Sequence, residues 1–171
     1  MNLTELANKY GTDKSPSHKG LRPGHSYTPF YEKLFAGLDP EILLEIGVET
    51  GASLRMWRDY FPRVLVIGLD IDAKRMFAEE RILTLCANAA AADPVKFPLK
   101  IDIVIDDGSH QIEDQCAAFR NFWPLVKEGG FYCIEDVQRD SRLPLIAAGF
   151  AIEEFDPNFP TGDDRVAARR K

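Results

Sequence analysis

The stretch "IDIVIDDGSH", Ile101 to His110, sets an unbroken apolar run against two adjacent aspartates, a glycine, a serine and one of only three histidines in the chain. A run such as Ile103, Val104 and Ile105 reads as a strand covered on both faces, as in a parallel sheet packed between helices. Ligands of open parallel sheets bind just beyond the carboxyl ends of such strands. Asp106, Asp107 and His110 stand at that place, so the stretch points to a fold class and to a site together.

The pattern on either side extends the same reading. Ile42–Ile46, Val64–Leu69, Ile82–Leu85, Ile101–Ile105 and Phe131–Ile134 read as strands, with the amphipathic segments Ala52–Tyr60, Ala73–Glu80 and Ile112–Leu125 as helices between them. This alternation predicts an α/β fold with a mostly parallel central sheet and helices on both faces. After Pro144, Ala151–Phe155 and Arg165–Ala168 flank the turn "DPNFPTGDD" and predict an antiparallel hairpin closing one sheet edge. Before the first strand, "YTPFYEKLFAGL" predicts a helix with Thr28 as N-cap, Pro29 at its first position, and Phe30, Leu34, Phe35 and Leu38 on one face. The preceding "GTDKSPSHKGLRPGHS" lacks periodicity and has the length reserved for lids or disorder. The expected organisation is one domain, with N-terminal helices and a lid loop over 1–40 and the sheet over 41–171.

Composition narrows the function. A chain of 171 residues with 45% hydrophobic and 28% charged residues is long enough for one well-cored domain and short for two. Its formal net charge of −6 argues against nucleic acid or an anionic membrane as partner. Cys86, Cys116 and Cys133 lie in or beside apolar segments without paired spacing, which predicts buried free thiols in a reducing compartment. No apolar run approaches the ~20 residues of a membrane span, and "MNLTELANKY" is unlike a secretory signal, so a cytoplasmic protein is expected.

A second stretch carries chemistry. In "LLEIGVETGAS", Leu43 to Ser53, a strand ends at Glu45 and Ile46, glycines follow at Gly47 and Gly51, and a helix opens near Ser53. Backbone N–H groups of such a loop face a ligand, although a Gly-x-x-x-Gly turn is also ordinary structure. Val48 and Glu49 stand where a phosphate site would need bare backbone, and Glu49 would repel the phosphate, so a cationic ligand suits the loop better. Asp70 ends the next strand at about the ~20-residue separation expected of an acid that accepts ribose hydroxyls. Asp72, one step beyond the strand, reads as the cap of the following helix.

Glu45-x-Gly47-x-x-x-Gly51 with Asp70 resembles the cofactor motifs of the Rossmann-like S-adenosylmethionine-dependent methyltransferases, whose cofactor carries a sulfonium and an ammonium and no phosphate. More narrowly, "YGTDK", "YTPFYEKLF", "DDGSH" and "IEDV" are similar to the metal-dependent sugar O-methyltransferases of macrolide biosynthesis, of the mycinamicin and macrocin type. The resemblance runs to the closing "TGDDRVAARRK". It implies S-adenosyl-L-methionine as cofactor, with Glu45, Gly47, Gly51, Ser53, Asp70, Asn88 and Asp106 around it. It further implies magnesium on Asp107, Glu135 and Asp136, and His110 as general base. Two departures stand out. Where the family commonly has Gly-Asp-Gln, this chain reads "ANA", which puts Asn88 where an acid contacts the adenine end, and "AAAADPVKFPLK" is short and Pro-broken for a crossover helix. The family's extra N-terminal domain has no counterpart here, so its substrate does not transfer.

The acidic positions also argue for themselves. Asp107 ends one strand while Glu135 and Asp136 end the next, so adjacent strands would bring three carboxylates to one edge, where they repel unless a cation sits among them. All-oxygen ligation selects a hard ion, magnesium first. Read as structure alone, Asp107-Gly108 is a turn, Ser109 a helix cap, and Glu113 and Asp114 dipole partners; that leaves His110 and the second acidic pair without a reason. His18 and His25 fall in the lid loop, as do Asp13 and Lys14, and Trp57, Phe61, Phe119, Phe122 and Trp123 have core spacing. The expected function is magnesium-dependent methylation of a hydroxyl on a small molecule: a sugar, a polyketide glycoside or another diol. A catalytically degenerate cofactor-binding protein and a metal-dependent hydrolase are the alternatives, and a homo-oligomer is left open.

Overall fold

The computed structural model describes residues 1–20, 23–91 and 100–171. Eight strands form one sheet in the order β3-β4-β2-β1-β5-β6-β8-β7, with the two-residue β3 (Ala78–Glu79) at one edge. The five inner strands, β4 (Ile82–Cys86), β2 (Leu65–Asp70), β1 (Ile42–Ile46), β5 (Ile101–Asp106) and β6 (Val126–Ile134), run parallel. β7 (Ala151–Glu154) and β8 (Arg165–Arg170) form the expected antiparallel hairpin, which docks through β8 on β6. Chain order reverses on either side of β1, the switch point at which open α/β sheets bind their ligands.

Helices cover both faces, as the apolar runs required. On one face α1 (Leu3–Tyr10), α2 (Tyr27–Leu34) and α3 (Ala52–Tyr60) bury Leu6, Tyr31, Leu54 and Trp57 against Leu43, Val66, Ile103 and Cys133. On the other, α4 (Ile112–Phe122) and α5 (Arg142–Ala147) bury Ala118, Phe122 and Leu145 against Leu44, Ile67, Val104 and Tyr132. Of the aromatic residues expected in the core, Trp57, Phe61 and Phe122 are buried, whereas Phe119 and Trp123 are half-buried beneath the Arg169 guanidinium. No helix among the described residues is long and apolar enough to cross a membrane.

The N-terminal helices are fastened locally. A capping box between Asn2 and Glu5 opens α1, and Gly11 in the left-handed region closes it. Tyr10 Oη and Lys9 Nζ reach Asp59 Oδ2 on α3 at 2.5 and 2.9 Å, and Leu3 N donates to Glu32 Oε1 on α2 at 2.7 Å. These bonds set α1 and α2 over the N-terminal side of the site.

Four local expectations are corrected. Thr28 is not the N-cap of α2; Ser26 holds that position, and Thr28 is buried with its hydroxyl 2.7 Å from that of Thr4. The buried face of α2 is accordingly Tyr27, Thr28 and Tyr31, continued by Phe35, while Phe30, Leu34 and Leu38 are only partly buried. Ala73–Glu80 is not a helix. Asp72 caps a single 3-10 turn, Ala73–Arg75, after which β3 (Ala78–Glu79) pairs antiparallel with β4. Local helix propensity loses there to tertiary bonds: Thr84 holds both Phe77 N and Phe77 O through its hydroxyl, and Glu79 pairs with Arg55 and Arg58. Cysteine burial holds for Cys133 alone, since Cys116 is intermediate and Cys86 exposed; all three are free thiols. The Pro-broken segment 92–99 lies outside the described residues.

One backbone contact links the first loop to the acidic one. Gly47 has φ +95°, and a Cβ there would meet Asp107 O at 2.1 Å. Gly37 has a similar φ of +77° but open space around it. Gly37→Ala is therefore expected to lose only the ~1 kcal/mol of backbone strain, and Gly47→Ala several-fold more, when both are measured by urea unfolding. Equal losses would show that the Gly47–Asp107 approach is not tight.

Candidate functional site

The C-terminal edge of the parallel strands opens into a cleft of about 820 Å³, within the range of small-molecule sites. Its floor continues the strand ladder into the loops: Gly47 N donates to Leu69 O, Asp107 N to Ile46 O, and Glu135 N to Asp106 O, at 2.7 to 2.9 Å. These bonds bring the loops after β1, β2, β5 and β6 side by side. Three cleft residues other than glycine, Glu49, His110 and Asp136, have φ of 47°, 59° and 51°. Such strain persists where surrounding structure holds it, and it gathers at functional sites.

One half of the cleft is the β1–β2 side. Gly47, Ser53 and Asp70 line it, with Asn88 at its rim. Gly51, in the left-handed region, opens α3 behind them. Asp70 Oδ2 accepts from Val48 N and its Oδ1 from Asp72 N, both at 2.9 Å. Burial opposes its charge, yet the N–H groups of Asp72, Val48 and Glu49 and the nearby Arg75 hold the carboxyl below its usual range. Asn88 Oδ1 accepts from Ala90 N at 2.9 Å in a local turn. Asp106 is buried at the bottom between Gly108 N and Tyr132 Oη, and burial raises its pKa to about 7.

The other half is acidic. Asp107, His110 and Asp136 each offer a ligand atom, all within 4.8 Å of one another. His110 Nε2 lies 3.7 Å from Asp136 Oδ2, and His110 Nδ1 is buried without a hydrogen-bond partner among the described residues. Tyr27 Oη donates to Asp136 Oδ1 at 2.6 Å. His25 Nε2 stands 3.7 Å from the same oxygen while its Nδ1 meets Asp164 Oδ1 at 3.2 Å, and the ring stacks between Tyr27 and Phe159. Asp136 is raised by burial and by Asp107, with His25, Tyr27 and His110 acting against the shift.

Glu135 does not join this group of three. Its Oε2 is bound by Lys14 Nζ and its Oε1 accepts from Tyr31 Oη at 2.8 Å. Lys14, 1% exposed, also reaches Asp107 Oδ2 at 2.6 Å and Glu45 Oε1 at 3.4 Å. Burial works against the ammonium, but Asp107, Glu135 and Glu45 hold its pKa well above the usual lysine value. Glu45 sits behind Lys14 rather than on the cleft wall. Burial raises its pKa to about 7, and neither oxygen has a geometrically sound hydrogen bond among the described residues.

The expected acids thus gather at one edge, but in two sets: Asp107 and Asp136 with His110 face the cleft, while Glu45 behind it and Glu135 on its wall hold Lys14, which also reaches Asp107. The two carboxylates of the outer set, Asp107 and Asp136, fit a hard divalent ion by their chemistry, and the imidazole of His110, a softer donor, stands beside them with a buried, unpartnered nitrogen. The residues that sequence reading left in an undecided lid, Lys14 and His25, prove to be buried parts of the site. Tyr27, Tyr31 and Asp164 were not singled out at all. For Lys14 the available signal was its place in the motif "YGTDK".

No protein-family model matches the chain. Among curated proteins, it is 40% identical over 151 residues to an 8-demethyl-8-(2-methoxy-alpha-L-rhamnosyl)-tetracenomycin-C 3'-O-methyltransferase of Streptomyces olivaceus, covering 79% of this chain and 36% of that protein. It is 38% identical over 152 residues to the demethylmacrocin O-methyltransferase of Streptomyces fradiae, with 79% and 36% covered. Among solved structures, the MycE methyltransferase of the mycinamycin biosynthetic pathway, in complex with Mg and SAH, superposes with a TM-score of 0.66 at 35% identity over 80% of this chain and 37% of that one. A caffeoyl-CoA O-methyltransferase-like protein from Staphylococcus aureus, at 15% identity and a TM-score of 0.65, shares the fold. The chain spans little more than a third of the length of the curated relatives it matches. Within that span it has the Rossmann-like methyltransferase fold and is a relative of the macrolide-type sugar O-methyltransferases.

Proposed function

We propose that this chain binds S-adenosyl-L-methionine and a divalent ion, magnesium first, and transfers a methyl group to a hydroxyl of a small molecule such as a sugar, a polyketide glycoside or another diol. The observation that carries the reading is the two-sided cleft, with Asp70 and the Gly47–Gly51 loop on one side and Asp107, His110 and Asp136 on the other. The relatives' names support it, being sugar O-methyltransferases, and so does the MycE complex with Mg and SAH.

The roles follow from the geometry. Asp70 is already ionised and oriented by backbone N–H groups, so it accepts hydroxyls of a ribose without reorganising. Gly47 leaves the loop bare enough for close approach, and Glu49 favours a cationic ligand end over a phosphate. The cofactor supplies an electrophilic methyl group on a sulfonium. Asp107 and Asp136 would hold a hard divalent ion, which would supply positive charge that acidifies an acceptor hydroxyl. His110 is the general base: its Nε2 is directed at Asp136 and the cleft, and its own left-handed backbone, φ 59°, fixes the ring there. The Asp136 carboxylate then stabilises the imidazolium. A hydrolase would use the acidic half but would leave Asp70 and its three N–H donors idle.

Two outcomes test the reading. Calorimetry is expected to detect S-adenosylhomocysteine binding that weakens at least about tenfold in Asp70→Ala, the loss of hydrogen bonds to a charged acceptor, with no binding of NAD. Equal binding of NAD would remove the cofactor assignment. With methyl-labelled cofactor and diol acceptors, His110→Ala is expected to keep cofactor affinity and lose about 10²- to 10⁴-fold in turnover. Normal turnover in that variant would mean that another group takes the proton.

A further inference from the structure

The divalent-ion reading leaves Lys14 unexplained, because a fully buried ammonium already occupies the inner side of the acidic cluster. Its Nζ bonds to Asp107 and Glu135 and lies 3.4 Å from Glu45. Lys14 arrives from the segment after α1, whose backbone is held to the rest of the chain by few bonds: Thr12 N to Ala7 O, His25 N to Asp13 O, and Thr28 N to Lys14 O. Ser15 and Ser17 tie the segment back to Asn8 on α1, and the Lys14 side chain is its one ionic anchor on the floor of the cleft among the described residues.

We propose that Lys14 is a resident cation that positions the site: it holds Asp107 and Glu135 in place without the divalent ion, and competes with that ion at Asp107, the carboxylate they share. The inference rests on the divalent-ion reading above. An ion that binds Asp107 shares that carboxylate with an ammonium 2.6 Å from Oδ2, and two cations on one carboxylate repel each other. A Glu135 oxygen becomes free for an ion only when Nζ withdraws, since Tyr31 holds the other. The competition works in both directions: bound ion loosens the Lys14 segment, and a bound Lys14 weakens the ion.

Manganese serves as the probe, followed by electron paramagnetic resonance in the absence of cofactor. Lys14→Met keeps the length of the side chain and removes its charge, and it is expected to bind Mn²⁺ at least tenfold more tightly than wild type, whereas Lys14→Arg stays near wild type. A second measurement needs no variant: hydrogen exchange of residues 11–18 in the wild-type protein is expected to quicken several-fold when Mn²⁺ is added. If Lys14→Met does not fold, judged by circular dichroism, this exchange experiment decides alone. Mn²⁺ affinity unchanged or lowered in a folded Lys14→Met, or exchange that slows or stays constant, overturns the competition while leaving the ion site standing. Absence of Mn²⁺ binding in both wild type and Lys14→Met overturns the ion site and the competition with it.

Discussion

The organisation of the cleft depends on one constraint: the parallel sheet delivers more carboxylates to its C-terminal edge than the edge can hold uncompensated. Glu45, Asp106, Asp107, Glu135 and Asp136 end three neighbouring strands, and three of them are almost fully buried. Burial, with the charge of Asp107 adding to it, raises Glu45 and Asp106 to about 7, and raises Glu135 well above its usual value against the pull of Lys14. Like charges this close stay ionised only beside cations. The protein supplies one from within, Lys14, and a second basic group in His25, whose pKa is raised against burial by Asp164, Asp136 and Asp13. Asp107 and Asp136, which open to the cleft, are left for a further cation.

The N-terminal third of the chain takes its place from this charge problem as much as from apolar packing. α2 brings Tyr27 and Tyr31 to Asp136 and Glu135, and the residues before it bring His25. From the far end of the chain, Asp164 in the β7–β8 hairpin accepts from Ser26 N and meets the His25 ring. Elements from both ends thus meet over β6. The sheet provides the acids, and the flanking segments provide the groups that make them tolerable.

This division explains what could be read in the sequence. Apolar runs with period and punctuation report the sheet directly, so the strands, the two-faced helix cover and the closing hairpin were legible. Asp70, Asp107, His110, Glu135 and Asp136 were legible because strand ends in parallel sheets share an edge. Lys14 and His25 were visible as residue types in an aperiodic loop, but their burial is set by partners 93 and 139 residues away, which local pattern cannot convey. Ala73–Glu80 failed for a related reason: its helix propensity is real, and bonds to Thr84 and Arg55 override it. Thr28 looks like a cap beside Pro29, yet its hydroxyl is taken by Thr4 across the α1–α2 contact.

The central claim is that the Asp107–Asp136 side of the cleft holds a divalent ion next to the cofactor loop. An anomalous difference map from crystals grown with Mn²⁺ and S-adenosylhomocysteine tests it most directly. The account predicts a single strong peak in contact with Asp107 and Asp136 beside His110, with the nucleoside hydroxyls on Asp70. A map with the nucleoside bound at Asp70 and no peak among the acids, or with the peak outside the cleft, would contradict it.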